Sequence, residues 1–174
     1  MTSRVSIRGT LVGIIFGAIT MLGAAWFKPS VQLVFNPTDS APRGWYVVVP
    51  VIHFHPGDYV VARLPNDTAA LAATRGYLPR AVPILKQIAG VTGQRVCVRD
   101  SVVYIDDVAV ARTLDSDAKQ RPLTAWAHCR HLVSDELFLL NPHNEASFDS
   151  RYFGPVDASF VRGRAIPLAT WQDH

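Results

Sequence analysis

The sequence predicts a mainly β domain that follows a single N-terminal transmembrane helix. Residues 10–27 carry no charge and are mostly apolar. The chain beyond them contains many short runs of β-branched and aromatic residues, separated by turn residues. No Pro/Gly/Ser-rich linker divides this later part of the 174 residues. We therefore expect an anchor over residues 1–28 and one folded domain over residues 29–174.

The apolar stretch has the length of a membrane span. Eighteen helical residues rise roughly 27 Å, which is close to the thickness of a bilayer core. Arg4 and Arg8 precede the stretch, so the positive-inside rule puts the N-terminus in the cytoplasm and the folded domain outside. The alternative is a signal peptide cut after Ala25, the last residue of Gly23-Ala24-Ala25. Both interpretations export the domain.

Composition and spacing also bear on the partners of the chain. Gly9, Gly13 and Gly17 recur every fourth residue, a spacing that lets two membrane helices approach closely and favours self-association. The net charge is +3, but no Lys/Arg run with interleaved aromatic residues follows the anchor. We therefore do not expect nucleic acid as a partner.

The exported part is expected to be rich in short strands. Residues 31–35 form a short apolar run, and residues 67–77 predict a helix that Asp67 or Thr68 caps and Gly76 ends. Residues 141–150 predict a loop of the kind that carries function. The predicted strands cover residues 45–51, 59–64, 84–88, 95–99, 102–105, 108–111, 136–140 and 161–166.

Cys97 and Cys129 are the two cysteines of the chain. In an exported domain such a pair favours a disulfide, and the alternative is two buried free thiols. The disulfide would close a β-meander and polar loop, an insertion over about residues 97–129.

Lys86 lies in an apolar segment, with no other charge between Arg80 and Arg95. Such a lysine either extends its amine to solvent or is held away from water. Desolvation lowers the pKa of an amine, and a lysine with a lowered pKa can act as a base near neutral pH.

Two further segments carry polar residues in patterns that are ambiguous alone. Ser40 lies between Pro37 and Pro42, which restrict the backbone, and Gly44 permits unusual dihedral angles. Without other information this segment is an ordinary turn or helix start. Likewise, the segment that contains Ser147, Asp149 and Arg151 is typical of a solvated loop with a surface ion pair.

Taken together and in this order, the segments resemble the signal peptidase I family. Within that family the chain most resembles the conjugative-transfer signal peptidases. It has Ala41-Pro42-Arg43-Gly44 where general enzymes have a methionine, and Asn141-Pro142-His143-Asn144 lacks the usual acidic start. The matching segments are Thr38-x-Ser40, Gly57-Asp58-Tyr59-Val60-Val61, Lys86-Gln87-Ile88-Ala89-Gly90 and Ser147-x-Asp149-Ser150-Arg151-Tyr152-x-Gly154.

The resemblance implies a signal-peptidase-like catalytic domain with a Ser/Lys dyad and neither a cofactor nor a metal ion. Ser40 would be the nucleophile and Lys86 the general base. The Ser40 N–H and the Thr38 hydroxyl would face the oxyanion. The supporting residues would be Ser147, Asp149 and Arg151.

The same resemblance implies a place and a substrate. The protein would lie in the bacterial inner membrane as a single-pass protein, with its catalytic domain in the periplasm. It would process exported precursor proteins, above all a conjugative pilin, with cyclisation of the pilin as a further expectation. The substrate would bind extended beside residues 31–35.

Four alternatives remain open at this point. The chain could be a general signal peptidase, or a non-catalytic membrane-anchored component of a conjugation or secretion apparatus. His143, near the segment that contains Ser147 and Asp149, raises the possibility of a Ser-His-Asp hydrolase, although no Gly-x-Ser-x-Gly surrounds Ser40. His53-x-His55 and His128-Cys129-Arg130-His131 raise a metal site, although neither supplies four ligands at zinc spacing.

Overall fold

The computed structural model describes residues 9, 11–18, 32–39 and 41–171. The chain divides into two compact units, Met1–Ser30 and Val31–His174. In the first unit, Gly9 and residues 11–18 are helical. Within the described part of the chain, no helix has both the length and the apolar composition needed to cross a membrane. Most of the predicted anchor lies outside the described residues, so the transmembrane helix stays a prediction.

The second unit is built from antiparallel strands, which confirms the predicted β-rich fold. The strands are β1 (Gln32–Asn36), β2 (Arg43–Val49), β3 (Tyr59–Ala62), β4 (Ile84–Gly90), β5 (Arg95–Arg99), β6 (Val102–Ile105), β7 (Val108–Arg112), β8 (Cys129–His131), β9 (Glu136–Leu140), β10 (Val156–Asp157) and β11 (Val161–Trp171). The helices are α1 (Asn66–Thr74), α2 (Ser150–Phe153) and a 3₁₀ turn (Ala158–Phe160).

Seven strands form one sheet in the order β1-β2-β11-β3-β4-β9-β10. Strands β4 and β9 lie inside this sheet and are largely buried, and β9 is apolar in four of its five residues. Strand β1 lies at one edge and pairs with β2. Strand β11 lies between β2 and β3 and is therefore paired along both of its sides.

A four-stranded sheet in the order β7-β6-β5-β8 contains the predicted insertion. Its hairpin loops, Asp100-Ser101 and Asp106-Asp107, have φ between 48° and 67°. Two-residue hairpins need this left-handed conformation, and aspartate tolerates it better than most residues. Strands β5 and β8 pair Cys97 directly with Cys129, and the two cysteines form a disulfide.

Helix α1 connects β3 to β4 and differs from its prediction at one end. Gly76, with φ of 71°, follows the C-cap, and the Gly76 and Tyr77 N–H groups bond back into the last turn. The glycine therefore ends the helix as expected. At the other end, Pro65 occupies the N-cap and supplies no side-chain hydrogen bond, so the predicted Asp67 or Thr68 cap is wrong.

The two faces of β4 pack into different hydrophobic clusters. Ile84 and Ile88 join a cluster that also contains residues of α1 and β9, whereas Leu85 packs on the opposite face. Side chains alternate along a strand, so Lys86 shares the face of Ile84 and Ile88. Its register partner on β3, Val60, belongs to the same apolar cluster. The fold therefore holds the lysine in apolar surroundings.

Candidate active site

Lys86 is 4% exposed. Of the two alternatives that the sequence left for this lysine, the structure therefore shows the buried one, and the amine does not extend to solvent. Burial lowers the pKa of Lys86 from 10.5 to about 8. The negative charge of Asp149 opposes this shift, and the positive charge of Arg151 adds to it. A pKa of about 8 leaves a useful fraction of neutral amine near neutral pH.

Ser147 lies in the loop that follows β9 and is 5% exposed. The Lys86 Nζ donates a hydrogen bond of 2.5 Å to the Ser147 Oγ, across 61 residues of sequence. A hydroxyl is an uncharged acceptor, so it fixes the direction of the amine without neutralising its charge.

Asp149 and Arg151 form a buried ion pair next to this loop, with exposures of 0% and 1%. The Arg151 Nε lies 2.7 Å from one Asp149 carboxylate oxygen, and its Nη2 lies 3.0 Å from the other. This bidentate geometry is the strong form of an Arg–carboxylate contact. The sequence pattern alone suggested a solvated ion pair, whereas the observed pair is buried.

The Arg151 guanidinium also organises the surrounding backbone. It donates to the carbonyls of Asn141 and Glu145, at 2.8 and 3.2 Å, and so holds the start and the middle of the loop before α2. It donates as well to the Arg112 carbonyl at the end of β7, at 2.7 Å. One side chain therefore ties the loop to the four-stranded sheet.

Asn36, the last residue of β1, organises the turn residues on either side of Ser40, which are 37–39 and 41–42. Its side chain is buried and its Nδ2 donates to the carbonyls of Thr38 and Ala41, at 2.9 and 3.0 Å. Its Oδ1 accepts from the Thr38 Oγ1 at 2.9 Å. Gly44, with φ of 139°, completes the turn, because a side chain there would overlap the backbone of β11.

The Asn36 contacts define the direction of the Thr38 hydroxyl. Because Nδ2 is the donor toward backbone carbonyls, the atom facing Thr38 is the amide oxygen. The Thr38 hydroxyl must then donate its one hydrogen to Asn36. The predicted oxyanion role would require Thr38 to change partner.

Asn141 connects the turn to the loop after β9. Its Nδ2 donates to the Asp39 carbonyl at 2.5 Å, across 102 residues of sequence. Asn144 approaches the same carbonyl at 3.4 Å, too far for a strong bond. The main chain of Asn141 is itself held, because its N–H donates to Asp149 at 3.0 Å.

The structure describes most of the predicted site residues, and it brings several of them together. The structure brings Lys86 next to Ser147 and sets the Asp149–Arg151 pair behind them. It links the Thr38 turn to the same loop through Asn141. Ser40 lies outside the described residues, and its contact with Lys86 stays a prediction.

Asn36 and Asn141 have positioning roles that the sequence pattern did not predict. Asn36 is the last residue of β1 and Asn141 directly follows β9, and both side chains are buried. An asparagine at a strand end is a signal for a side chain that bonds neighbouring backbone. The partners of Asn141 are distant in sequence, so the pattern alone could not identify them.

Two histidine rings of the rival interpretations have recorded contacts, that of His55 with Asp58 and that of His128 with Trp126. The His143 N–H donates to Asn141, and the His55 Nδ1 lies 3.6 Å from an Asp58 oxygen. Cys129 is bonded to Cys97 and so offers no thiolate. Among the residues described, no group of three or more His, Cys, Asp and Glu side chains is arranged to hold a metal ion.

Comparison with protein families shows to which family the chain belongs. The family model described as signal peptidase, peptidase S26 matches residues 6–170, nearly the whole chain. The chain belongs to this family, which confirms the resemblance found in the sequence.

Individual relatives narrow the comparison to proteins of plasmid transfer. The chain is 31% identical to a probable conjugal transfer protein TraF of Sinorhizobium fredii, covering 88% of this chain and 84% of that protein. It is 27% identical to a plasmid transfer protein TraF of Escherichia coli, covering 98% and 97%. A crystal structure of a signal peptidase I from Enterococcus faecalis is 20% identical and covers 66% of this chain and 97% of its own, with a TM-score of 0.40.

Proposed function

We propose that the chain is a membrane-bound serine endopeptidase in which Ser40 is the nucleophile and Lys86 the general base. The observation that carries this proposal is the buried amine of Lys86, whose pKa is lowered to about 8. At pH 7 roughly one amine in ten would be neutral, against roughly one in several thousand at an ordinary lysine pKa. Burial therefore supplies a base that an exposed lysine could not.

The proposed reaction runs through an acyl-enzyme. The neutral Lys86 amine takes the Ser40 hydroxyl proton while the Ser40 Oγ attacks the carbonyl carbon of the scissile peptide. The resulting ammonium then gives its proton to the departing amine as the C–N bond breaks. Ser147, which accepts from Nζ at 2.5 Å, keeps the Lys86 amine directed during both transfers. Water, or another amine, would finally release the ester.

Strand β1 offers a binding edge for an extended substrate. Among the described residues, β1 is an outer strand of the seven-stranded sheet and pairs with β2 along one side. A peptide can add to the other side by backbone hydrogen bonds. This strand ends four residues before Ser40 in the sequence, so an added peptide would approach the proposed nucleophile.

The outer face of β1, β2 and β11 supports attachment to the membrane surface. Leu33, Phe35, Trp45 and Trp171 are 60%, 42%, 44% and 48% exposed. The Phe35 ring lies 5.0 Å from Trp45 and 6.1 Å from Trp171, so these aromatic residues form one patch. Aromatic side chains are favoured at the level of lipid headgroups. We assign the domain to the periplasmic face of the inner membrane, with residues 1–28 as its anchor.

The similarity to conjugal transfer proteins supports a proposal for the substrate class. We assign a pilin precursor as the substrate, because pilin maturation is the processing step that a conjugative member of the family would perform. General signal-peptide cleavage and a non-catalytic role in the transfer apparatus are the alternatives. Self-association through Gly9, Gly13 and Gly17 is a separate proposal, tested by crosslinking in membranes.

The dyad is tested by substitution in the full-length protein in membranes. Ser40→Ala and Lys86→Ala are each expected to abolish precursor cleavage and plasmid transfer. Lys86→Arg should fail equally, because a guanidinium does not release its proton at working pH. The matched controls are Ser116→Ala and Lys119→Arg in the loop after β7, which should retain activity. Cleavage by Lys86→Arg would show that another group is the base, and full transfer by Ser40→Ala would favour the non-catalytic role.

Cyclisation is tested by the mass of the product. If the pilin amino terminus attacks the Ser40 ester, the product is lighter than the linear mature chain by one water and has no free amino terminus. Purified enzyme and precursor in vesicles should yield this species. Linear product alone would restrict the activity to hydrolysis.

A further inference from the structure

The Asp39 carbonyl has an unusual position for an exposed turn. It is the carbonyl directly before Ser40, and two asparagine side chains from the loop after β9 point their amide nitrogens at it. The Asn141 Nδ2 is 2.5 Å away and the Asn144 Nδ2 is 3.4 Å away. Asn141 is therefore the dominant donor.

Asn141 is held more firmly than a loop residue usually is. Its N–H donates to Asp149 and its carbonyl accepts from Arg151, so both main-chain groups are tied to the buried ion pair. Its Oδ1 accepts from the His143 N–H at 3.1 Å, which fixes the orientation of the side-chain amide. The amide is therefore presented to Asp39 from a rigid support.

Peptide geometry connects this contact to the reaction. The C=O of one residue and the N–H of the next belong to one planar group and, in the trans form, point in opposite directions. Ser40 lies outside the described residues, but a donor that fixes the Asp39 carbonyl would, by this geometry, also set the direction of the N–H that follows it. A hydrogen bond to the carbonyl also polarises the N–H of the same group and makes it a stronger donor.

The contact of Thr38 with Asn36 makes the Ser40 N–H the more important proposed donor to the oxyanion. The Thr38 hydroxyl donates to Asn36, so its hydrogen is engaged within the turn. An oxyanion formed at Ser40 would then depend more on the backbone N–H than on the hydroxyl.

We infer that Asn141 is a positioning residue, which aims and polarises the peptide group whose N–H stabilises the oxyanion. This inference rests on the proposed Ser40 peptidase function. It also gives the Asp149–Arg151 pair a second task, because the pair supports Asn141 as well as the loop that carries Ser147.

The first test observes the peptide group itself and does not require activity. Labelling Asp with ¹³C at the carbonyl and Ser with ¹⁵N selects the four Asp-Ser peptides of the chain, at Ser40, Ser101, Ser116 and Ser150. Loss of one signal in Ser40→Ala assigns the Ser40 resonance. In full-length protein in nanodiscs, Asn141→Ala should shift this resonance and leave those of Ser101 and Ser116 in place. An unmoved Ser40 resonance would overturn the inference.

The second test is kinetic. Asn141→Ala should lower kcat by about tenfold to a hundredfold, less than or equal to the loss from removing an oxyanion donor outright. KM and the midpoint of the pH profile of kcat/KM should stay near the wild-type values, because neither substrate binding nor the Lys86 base is altered. A role limited to folding would instead lower the melting temperature and the active fraction without this selective loss of kcat.

Asn141→Asp and Asn144→Asp form a matched pair of variants. They provide a further test that remains available if Asn141→Ala does not fold. Both introduce one negative charge in the same loop, but only the first removes the 2.5 Å donor. Asn141→Asp should therefore lose clearly more kcat than Asn144→Asp, and equal losses would contradict the inference. If wild type and Ser40→Ala were equally inactive, the peptidase proposal would fail, and the Ser40 resonance would still decide whether Asn141 fixes the peptide.

Discussion

The site contains two buried cations, Arg151 and Lys86, which differ in the number and charge of their hydrogen-bond partners. The Arg151 guanidinium is 1% exposed and donates to a carboxylate and to three backbone carbonyls. Lys86 is 4% exposed, and among the described residues its amine donates to one hydroxyl. The chain thus pairs one buried charge completely and leaves the other with an uncharged partner.

This difference separates a structural charge from a reactive one. A buried cation with a full set of acceptors keeps its proton, because its charged form is well stabilised. A buried cation with one neutral acceptor holds its proton less tightly, and the pKa of Lys86 falls to about 8. The two side chains already differ in chemical type, and burial beside a single uncharged acceptor adds to that difference by lowering the pKa of Lys86.

The largest expected effect is on stability and concerns the paired cation. Arg151→Met leaves the Asp149 carboxylate buried without its guanidinium, and we expect the free energy of unfolding to fall by about 3–5 kcal/mol. Denaturant unfolding of the full chain in detergent would measure it. Arg130→Met is the matched control, because Arg130 also binds a carboxylate, Glu136, at 2.6 Å but is 39% exposed.

The control should cost about 1 kcal/mol or less, as exposed pairs do. Equal losses in the two variants would mean that burial does not distinguish the pairs. Partial recovery in the double variant Arg151→Met/Asp149→Leu would show that the unpaired carboxylate causes the loss.

The second effect concerns the four-stranded sheet, which is secured by a covalent bond in addition to packing. Replacing Cys97 and Cys129 by alanine removes a crosslink between residues 32 apart, and the chain-entropy model predicts a loss of roughly 3–4 kcal/mol. Activity at 25 °C should persist, because the disulfide joins β5 to β8 whereas Lys86 lies on β4. Loss of activity with retained folding would show that the insertion shapes the site.

The contrast also shows what a sequence can and cannot predict. Strands β5, β6 and β9 were predicted to the residue, because their alternating or apolar patterns are local. Strand β8 and helix α2, with three and four residues, were missed because distant partners hold them. The sequence left Lys86 either buried or extended to solvent, since its surroundings come from other strands and from a serine 61 residues away. The hydrogen bond from Asn141 to the Asp39 carbonyl could not be predicted either, because the two residues are distant in sequence.

The third effect concerns Lys86, whose removal should increase the free energy of unfolding, whereas removal of Arg151 lowers it. The pKa of Lys86 falls from 10.5 to about 8 on folding, so at pH 7 the folded state holds an unfavourable charge. As pH rises through about 8, the folded state releases this proton before the unfolded state does, and stability increases. Lys86→Met should therefore unfold at higher denaturant than wild type at pH 7. The advantage should shrink by roughly 2 kcal/mol by about pH 9.5.

The informative quantity in this experiment is the difference between the two proteins at each pH. Groups that titrate equally in both proteins cancel in that difference. A constant difference across the range would mean that the pKa of Lys86 is not lowered. A variant less stable than wild type at pH 7 would mean that the amine is better solvated than its burial indicates.

The smallest effect concerns Ser147, the hydroxyl that distinguishes the surroundings of Lys86 from a fully apolar pocket. Because it accepts from Nζ, it stabilises the ammonium more than the neutral amine. Ser147→Ala should therefore lower the pKa of Lys86 further and move the rising limb of kcat/KM to lower pH by about half to one unit. The plateau rate should fall by about tenfold as the amine loses its direction. Ser147→Thr keeps the hydroxyl and should restore the midpoint of the profile, if not the full rate. A limb that stays in place or moves to higher pH in Ser147→Ala would mean that the hydroxyl does not favour the charged amine, and the contrast between the two cations would then rest on burial alone.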